Sequence, residues 1–416
     1  MPTLLGIEST VRDQLKTLGY APDAVTVENG NVTLALDTFA EAKRAVARLN
    51  YALGSAERVL FEIKSFPIRT FDDLIAGVEE IAWEDYVDFG YAIRVTGYSR
   101  KSEIFGISAC QGIIKKAVVD RLLKVKGLTG RLPEDPKQGM TELHFSIIDN
   151  TFTVSLDTSG DGLHKRGYRP LRHEAPIRET LAFALLHYSF FPENIPYREK
   201  MTDLFCGSGT FLIEAALMLT KTAPGIRRHF AAETQQLFGR EVFDREREAF
   251  KADSLLFYRD RDPSKYEQIE MIRNRLYGAD ASPQAIEVAE QNARKAGVEE
   301  LIDFKCKAIE TWTRDSLETW IGLEPKPQRK SRSPFLWISN PPYGERLGNR
   351  DKAIKLEEDI ARLAFDNNYE MCRLSVISPD LRFEQHVGRK ADKRRKVYNG
   401  MIRCTLYHYF RPNNRS

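Results

Sequence analysis

The stretch SNPPYGERLG, which begins at Ser339, combines residues that could hold an aromatic amine. It follows the apolar run FLWI, so it comes directly after a predicted buried strand. The side-chain oxygen of Asn340 and the backbone carbonyl of Pro341 would both accept hydrogen bonds from one NH2 group, and the fixed φ angle of proline would hold these acceptors rigidly. Tyr343 would stack on the ring that carries the amine. We therefore predict that Asn340, Pro341, Pro342 and Tyr343 form a catalytic site.

Two acceptors on one amine change its reactivity. The lone pair of an aromatic amine is delocalised into the ring, and two acceptors pull the nitrogen toward sp3 geometry, which restores nucleophilicity as a methyl group arrives. No strong base is required, because the positioning of the reactants supplies much of the effect. The alternative interpretation, in which the two prolines only end a strand, stays open.

A glycine loop, DLFCGSGT, begins at Asp203 and lies between a predicted strand and a predicted helix that starts at about Thr210. Gly207 and Gly209 let the backbone turn tightly and approach a ligand. The free N–H groups at the start of a helix favour an anionic or polar ligand. The loop is neither a phosphate-binding P-loop nor a complete GxGxxG, which argues against a nucleoside triphosphate and against a nicotinamide cofactor.

Asp280 ends the next predicted strand, where an acidic residue would accept hydrogen bonds from ribose hydroxyls. It lies much further from the glycine loop than the spacing of about 20 residues typical of dinucleotide folds. We interpret the charged, helix-prone stretch between residues 224 and 275 as an insertion, either a lid or a support. The alternative in which the glycines only make a tight turn stays open.

Together the motifs resemble those of a known family. DLFCGSGT with NPPYGERLG is similar to the amino-methyltransferases of RNA and DNA. DTSGDGLHKRGYR (157–169) and SRKSEIFGISACQGIIKKAV (99–118) resemble the THUMP-containing subgroup, which includes the bacterial 23S rRNA guanine-N2 methyltransferases of the RlmL type. The resemblance extends from GIEST near the start to RRKVYNGMIRCTLYHY near the end.

This resemblance implies S-adenosylmethionine as the cofactor and assigns residues to it. Asp280 would hold the ribose, the glycine loop would line the methionine end, and Thr180 would flank the cofactor. The cofactor-binding residues implied are Asp203, Cys206, Gly207, Ser208, Gly209, Thr210, Asp280, Ala281 and Thr180. Ala308 stands where many relatives carry an aspartate near the adenine amine, so a backbone contact or Glu310 would have to serve there. Ser282 replaces a common second acid and is expected to cap a helix.

The periodicity divides the chain into three parts. We predict a ferredoxin-like domain at 1–65, with strands at TLLGIEST and NVTLALDT, and a THUMP RNA-binding domain at 66–168 with a hairpin that turns at Asp149-Asn150. From 169 to 416, strands alternate with helices, which is typical of an α/β fold. The resemblance implies a Rossmann-like class I methyltransferase domain with a mostly parallel seven-stranded sheet.

The run GRKADKRRKVYNG, residues 388–400, is predicted to be a loop that binds phosphates. A solvated loop without a ligand stays open as the alternative. Basic residues on a helix of the second domain and at its junction with the third could bind RNA as well, or could be surface charge or interface residues. The predicted RNA-binding residues are Lys115, Lys116, Lys165, Arg166, Arg169, Arg389, Lys390, Arg394 and Arg395.

Composition and sequence patterns restrict the other classes of protein to which the chain could belong. The 416 residues carry a net charge of only +3, so bulk charge does not argue for nucleic acid and the local clusters must. Five scattered cysteines indicate a reducing compartment. We find no signal peptide and no apolar run of about 18 residues, and we expect a cytoplasmic protein with no membrane span. The seven histidines show no metal-ligand spacing, so no metal is expected. The oligomeric state stays open.

We predict an RNA methyltransferase that makes N2-methylguanosine, with 23S rRNA or a ribosomal precursor as its partner. Three alternatives stay open. One is guanine-N2 methylation of tRNA, and another is adenine-N6 methylation of a nucleic acid, which uses the same NPPY motif. The third is a non-catalytic, RNA-binding ribosome assembly factor with a vestigial cofactor site, supported only by Ala308.

Overall fold

The computed structural model describes residues 1–169, 177–191, 199–258, 262–323, 335–343, 350–366, 369–370 and 372–410. Residues 344–349, which complete the SNPPYGERLG stretch, lie outside this part of the chain. No helix in the described ranges is both long and apolar enough to cross a membrane.

The N-terminal part pairs two helices with a short antiparallel hairpin. Its elements are α1 (Glu8–Thr17), β1 (Val25–Glu28), β2 (Asn31–Leu34) and α2 (Phe39–Ala52). The prediction of a strand over TLLGIEST was wrong, because only Pro2 and Thr3 form isolated bridges and α1 begins within the stretch. Gly6 has a φ angle of 93°, which interrupts the extended conformation before the helix.

The second part is a four-stranded sheet backed by two helices. Its elements are β3 (Leu60–Pro67), α3 (Phe71–Glu79), β4 (Tyr91–Arg100), α4 (Ile107–Lys126), β5 (Asp135–Ile148) and β6 (Thr151–Asp157), and the strand order is β3-β6-β5-β4. β5 and β6 form the predicted hairpin, and Asp149 and Asn150 turn it with φ angles of 48° and 62°. Both residues tolerate this left-handed conformation, which a two-residue hairpin turn requires.

The third part contains a seven-stranded sheet in the order β14-β15-β13-β10-β7-β8-β9. Its first half comprises α5 (Glu179–Tyr188), β7 (Lys200–Asp203), α6 (Thr210–Leu219), α7 (Arg240–Asp253), α8 (Pro263–Ile272), β8 (Leu276–Asp280), α9 (Pro283–Ala296) and β9 (Ile302–Cys306). Its second half comprises α10 (Arg314–Trp320), β10 (Phe335–Ser339), α11 (Arg350–Ala364), β11 (Phe365–Asp366), β12 (Tyr369–Glu370), β13 (Cys372–Ser378), α12 (Phe383–His386), β14 (Lys393–Asn399) and β15 (Ile402–Tyr409).

Five strands of this sheet, β13, β10, β7, β8 and β9, pair in parallel. Strand β15 pairs antiparallel with β13 on one side and with β14 on the other. Every residue of β10 is buried, as expected for a strand covered on both faces. The α/β fold with a mostly parallel seven-stranded sheet is therefore confirmed. The carboxyl-terminal ends of these five parallel strands lie at one edge of the sheet, called here the carboxyl edge.

The charged stretch between residues 224 and 275 is a support. Helix α7 packs on α2 of the N-terminal part, where Glu246 accepts a hydrogen bond from Arg44 at 2.7 Å. The ring of Tyr51 lies 5.0 Å from that of Phe230 and 6.2 Å from that of Phe243, measured between centroids. The insertion therefore contributes to two cores: Phe238 and Phe243 belong to that of the N-terminal half, and Ile269 and Ile272 belong to that of the third part.

Candidate functional site

The carboxyl edge brings three predicted side chains together. Asp203 ends β7, Asp280 ends the neighbouring β8, and Asn340 directly follows β10 on the other side of β7. The hydroxyl of Ser339 donates to Asp203 Oδ1 at 2.6 Å and links two of these strand ends. In open α/β sheets, ligands bind in a crevice at this edge.

The glycine loop crosses the edge without side chains in the way. Gly207 and Gly209 have φ angles of 50° and 79°, a conformation that glycine adopts at little cost. The amide of Gly207 donates to Asp280 Oδ2 at 3.0 Å, so the loop and the end of β8 are joined directly. A Cβ atom built on Gly207 would meet no atom within 4 Å, which shows open space beside the backbone. Ser208 is held from behind, because Asn292 Nδ2 donates to its carbonyl oxygen at 3.1 Å.

Asp203 is buried, and its carboxylate accepts from the Phe205 amide at 3.0 Å as well as from Ser339. Burial raises the pKa of Asp203 to about 7, because a charge without full hydration is disfavoured. Burial likewise raises the pKa of the Cys206 thiol, which stays neutral at physiological pH. The methionine end of the predicted cofactor site thus offers an ionisable carboxyl group and no reactive thiolate.

Asp280 has a partner on each carboxylate oxygen, because the amide of Ser282 donates to Oδ1 at 2.9 Å while Gly207 donates to Oδ2. Ser282 is the cap of helix α9 and accepts from the Ala285 amide at 3.3 Å, as expected from the sequence. Ala281 lies in the same turn. Glu310, the suggested substitute for an acid at Ala308, is exposed.

Asn340 presents a polar atom without a partner. Its Oδ1 atom is buried and, within the described ranges, accepts no hydrogen bond. A buried acceptor left unpaired costs about 1–3 kcal/mol, so native structures rarely keep one without a reason. At the end of β10, this oxygen is available to a ligand that donates a hydrogen bond.

A cavity of about 190 Å³ lies beside the prolines and Tyr343. Its far wall comes from α11 and from the turn after β13, which contribute Glu357 and Asp380. Glu357 Oε2 lies 2.5 Å from His386 Nδ1, and Asp380 Oδ2 lies 3.8 Å from the same nitrogen. Sequence reasoning missed these three residues, which come from separate segments. Only the position of Asp380 just after a strand of the parallel sheet could have pointed to it.

Several of the basic residues predicted to bind RNA have structural partners. The guanidinium of Arg166 is buried, donates to the carbonyls of Gly54 at 2.5 Å and Leu163 at 2.7 Å, and lies 3.4 Å from Glu214. It leaves no surface for a phosphate, so we remove Arg166 from the predicted RNA surface. Its carboxylate partner lies on α6, so the structure supports the alternative in which Arg166 is an interface residue.

Arg169 and Thr180 connect the glycine loop to the other domains. Arg169 donates to the hydroxyl of Thr210, at the start of α6, and lies 3.4 Å from Glu179. Thr180 is buried and donates to Glu57 Oε1 at 2.5 Å, which ties α5 to the N-terminal half. The structure thus places Thr180 at the contact between α5 and the N-terminal half, and its hydroxyl is already engaged.

The basic run at 388–400 is not a loop, because residues Lys393–Asn399 form the edge strand β14. Antiparallel pairing with β15 along the whole strand overrides the loop-like composition. Arg394 pairs with Glu384 at 2.6 Å, and Arg395 lies 3.6 Å from the centroid of the Tyr188 ring. Lys390 is exposed.

The remaining predicted basic residues lie at the surface or against rings. Arg389 stacks on Phe365 at 4.9 Å from the ring centroid. Lys115 lies 3.1 Å from Glu134, Lys116 lies 3.2 Å from Asp120, and Lys165 lies 2.5 Å from Asp161. The pairs of Lys116 and Lys165 are exposed and contribute little to stability, so these two lysines can exchange a carboxylate for a phosphate. Lys115 is half-buried and also donates to the Ile93 carbonyl at 3.2 Å.

The parallel sheet with a glycine loop and two strand-end acids at its carboxyl edge defines a class I methyltransferase that depends on S-adenosylmethionine. The chain belongs to the family of RMKL-like methyltransferases, whose methyltransferase domain matches residues 166–408. The RlmL ferredoxin-like domain matches residues 1–60, and the THUMP domain matches residues 69–157.

Relatives cover the chain almost completely. The Bacillus subtilis protein named "Putative RNA methyltransferase YpsC" is 31% identical over 406 residues, which are 98% of this chain and 94% of that protein. The "Ribosomal RNA large subunit methyltransferase K/L" of Psychromonas ingrahamii is 31% identical over 85% of this chain. The match takes in only 43% of that longer relative.

Solved structures share the fold along the whole chain. A Listeria monocytogenes protein, described as "a predicted N6-adenine-specific DNA methylase", is 32% identical with a TM-score of 0.81, covering 99% of this chain and 95% of its own. SMU.472, described as "a putative methyltransferase complexed with SAH", is 30% identical with a TM-score of 0.80, covering 99% of this chain and 97% of its own.

The residues at the carboxyl edge fit S-adenosylmethionine. The loop backbone is open at Gly207, and the Asp280 carboxylate lies next to it. Asp203 would face the positively charged methionine end, and its carboxyl group is ready to ionise there.

The affinity for S-adenosylmethionine is expected to rise with pH up to about 7 and then to level off, because the pKa of Asp203 is about 7 in the free protein. Below that pH, Asp203 is protonated, and a cationic ligand must displace the proton, so affinity falls by up to about tenfold per pH unit. Calorimetry between pH 5.5 and 8.5 measures this dependence. Asp203→Asn, which cannot ionise, should give weaker binding that does not change over the range. A wild-type affinity that is flat with pH would contradict the placement of Asp203.

Proposed function

We propose that this protein transfers a methyl group from S-adenosylmethionine to the exocyclic N2 amine of a guanosine in RNA, with 23S rRNA or a ribosomal precursor as the substrate. The observation that carries the proposal is the buried, unpaired Oδ1 of Asn340 at the carboxyl edge. The THUMP domain and the names of the K/L relatives support RNA as the substrate.

Three residues of the NPPY stretch have a defined task in this proposal. S-adenosylmethionine, when bound, supplies a methyl group on a positively charged sulfur. Asn340 Oδ1 and the Pro341 carbonyl accept the two hydrogens of the base amine and turn its lone pair toward the methyl group. Tyr343 is fixed by a hydrogen bond from Asn399 Nδ2 at 2.7 Å and offers its ring to the base. With the cofactor bound, the amine nitrogen would form the N–C bond as the sulfur–carbon bond breaks, and its surplus proton would leave to water.

The carboxyl groups that line the cavity beside Tyr343 support guanine, rather than adenine, as the proposed target base. Glu357 and Asp380 line it with carboxyl oxygens. Guanine carries an N1–H donor next to its N2 amine, and this donor suits a carboxylate acceptor. Adenine has an unprotonated N1 beside its N6 amine, so two acceptors would face each other. Adenine-N6 methylation is the second candidate function, because the Listeria structural relative is described as "a predicted N6-adenine-specific DNA methylase".

Mass spectrometry of nucleosides from a deletion strain and its parent tests the proposal. Loss of N2-methylguanosine from 23S rRNA, restored by the wild-type gene and not by the Asn340→Ala gene, would support it. Loss of the same nucleoside from tRNA would move the substrate, and loss of N6-methyladenosine would favour the second candidate. An unchanged nucleoside profile, combined with no S-adenosylmethionine binding by calorimetry, would indicate the non-catalytic assembly factor.

The double variant Lys390→Ala/Lys393→Ala is expected to weaken RNA binding and to flatten its salt dependence. Both lysines are exposed at the start of the edge strand β14. Each phosphate contact that is lost should lower the slope of log K against log salt by about 0.7–0.9. Fluorescence anisotropy with a labelled rRNA fragment measures this slope over a salt range of about 50 to 300 mM, in which the affinity of phosphate contacts changes strongly.

The matched control is Lys16→Ala/Lys295→Ala, which removes two exposed lysines from helices α1 and α9. It carries the same change in net charge, so it separates a local contact from bulk charge. Equal slopes for the two double variants would show that the strand is ordinary surface.

A further inference from the structure

The β14–β15 hairpin projects beyond the carboxyl edge. The last residue of β13, Ser378, pairs with Thr405 of β15. From Thr405 the hairpin continues to the pair Asn399 and Ile402, where the chain turns. At about 3.4 Å per residue, its tip stands roughly 10 Å past the end of β13. The tip is therefore on the side of the sheet where the site lies.

The turn at the tip consists of Gly400 and Met401. Gly400 has a φ angle of 64°, whereas Met401 is not among the residues with a positive φ. A two-residue turn with glycine first is a rigid hairpin connection. It places the side chain of Met401 in solvent, 98% exposed, and that of the following Ile402 is 48% exposed.

The hairpin is fixed to the candidate base site. Asn399 Nδ2 donates to the Tyr343 hydroxyl at 2.7 Å, and Cys404 Sγ lies 3.9 Å from the same oxygen. Both strands of the hairpin thus touch the aromatic residue on which the target base would stack. Met401 is only two residues from Asn399, so its position relative to Tyr343 is set by this contact.

Exposed apolar side chains are unevenly distributed. Among the residues that the structure describes, the most exposed large apolar side chains are Met401 at 98%, Phe105 at 83% and Leu381 at 79%. Leu381 directly follows Asp380, which lines the cavity beside Tyr343. Two of these three residues are therefore close in sequence to residues that contact the base site, namely Asn399 and Asp380. Single exposed apolar side chains are common on protein surfaces, so it is the position of Met401 next to the base site, and not its exposure alone, that indicates a partner.

We propose that Met401 is a wedge that enters a paired region of RNA and fills the gap left when the target base leaves the stack. A base must be extruded before an enzyme can act on its amine inside a helix, and proteins commonly insert an apolar side chain between base steps. Methionine suits this task because its unbranched thioether adapts to an irregular gap. The exposed Lys396 and Arg403 on the same hairpin would contact the flanking phosphates. This inference rests on the proposed methylation of RNA.

Two RNA substrates distinguish an effect of Met401 on base extrusion from an effect on methyl transfer. One holds the target guanosine in a base-paired stem, and the other holds it in the same sequence without a complementary strand. Met401→Ala should lower the methylation rate on the stem by at least about tenfold and leave the rate on the single strand within about twofold. Met401→Leu should retain activity on both substrates, because leucine keeps the apolar volume.

The matched control is Met271→Ala on helix α8, where the side chain is 59% exposed and distant in sequence from the site. It should behave as wild type on both RNAs. An equal loss on both substrates with Met401→Ala, or no loss on the stem, would overturn the wedge.

A second readout does not depend on methyl transfer. A 2-aminopurine at the target position of the stem should become brighter when wild-type protein binds, because the base leaves the stack, and should stay dim with Met401→Ala. If wild-type protein methylates neither RNA, the proposed reaction is wrong, and the 2-aminopurine fluorescence alone tests the wedge. A rise that depends on Met401 would still support the wedge, and no rise would overturn it.

Discussion

Replacement of Asn340 by alanine is expected to lower turnover by about two to four orders of magnitude, comparable to the loss of a positioned electrostatic partner in other enzymes. Affinity for S-adenosylmethionine should change little, because the amide oxygen is assigned to the base amine. Single-turnover kinetics on an rRNA fragment and calorimetry with the cofactor measure the two quantities separately. Unchanged turnover would rule out the assignment, and a parallel loss of cofactor affinity would move Asn340 into the cofactor site.

The same variant should fold at least as well as the wild type. Asn340 Oδ1 is buried without a partner in the described part of the chain, so its removal relieves an unfavourable acceptor. A melting temperature equal to or above that of the wild type would show that this position is kept for activity. Residues that reduce stability in this way tend to mark functional sites. A clear drop in melting temperature would instead indicate a structural role for Asn340.

The sequence was sufficient to locate the carboxyl edge, because its motifs directly follow strands. FLWI before Asn340 and the strand before Asp203 are short apolar runs, and parallel strands place their ends at one edge. The wall formed by Glu357, Asp380 and His386 could not be predicted in the same way. These residues follow no common local pattern, and only the packing of α11, α12 and the turn after β13 brings them together.

The basic residues show a different limit of sequence reasoning. A run of lysine and arginine indicates surface charge, but burial depends on partners that lie far along the chain. Arg166 pairs with Glu214 on α6, and Arg395 stacks on Tyr188 of α5. The prediction of a strand over TLLGIEST was wrong for a similar reason, because the conformation there depends on a distant segment. A Cβ atom on Gly6 would lie 2.5 Å from the Lys396 carbonyl oxygen, so β14 of the third part determines the path of the chain at Gly6.

Substitution of Glu214 by alanine is expected to destabilise the protein by about 3–5 kcal/mol, because the buried guanidinium of Arg166 would lose its counter-ion. The side chains of the pair are only 2% and 1% exposed, and the Tyr168 hydroxyl also donates to Glu214, at 3.0 Å. Urea unfolding followed by tryptophan fluorescence measures the loss. Asp120→Ala is the control, since its pair with Lys116 is 59% and 76% exposed and should contribute nothing measurable.

A double variant, Arg166→Met/Glu214→Leu, would separate the contribution of the ion pair from that of the hydrogen bonds that Arg166 donates to backbone carbonyls. It removes the unpaired charge, which should restore part of the stability. It also removes the donors to the carbonyls of Gly54 and Leu163, so the restoration should be incomplete. A double variant no more stable than Glu214→Ala would mean that these backbone contacts, and not the ion pair, hold the domains together.

The effect of Glu214→Ala should also reach the cofactor site. Glu214 lies one turn after Thr210 on α6, and Thr210 is held by Arg169, three residues after Arg166. A shift of the segment that carries Arg166 and Arg169 would therefore loosen the start of α6, where the glycine loop ends. We expect weaker S-adenosylmethionine binding at temperatures where the variant is still folded. An unchanged affinity would show that the domain junction stabilises the fold without positioning the loop.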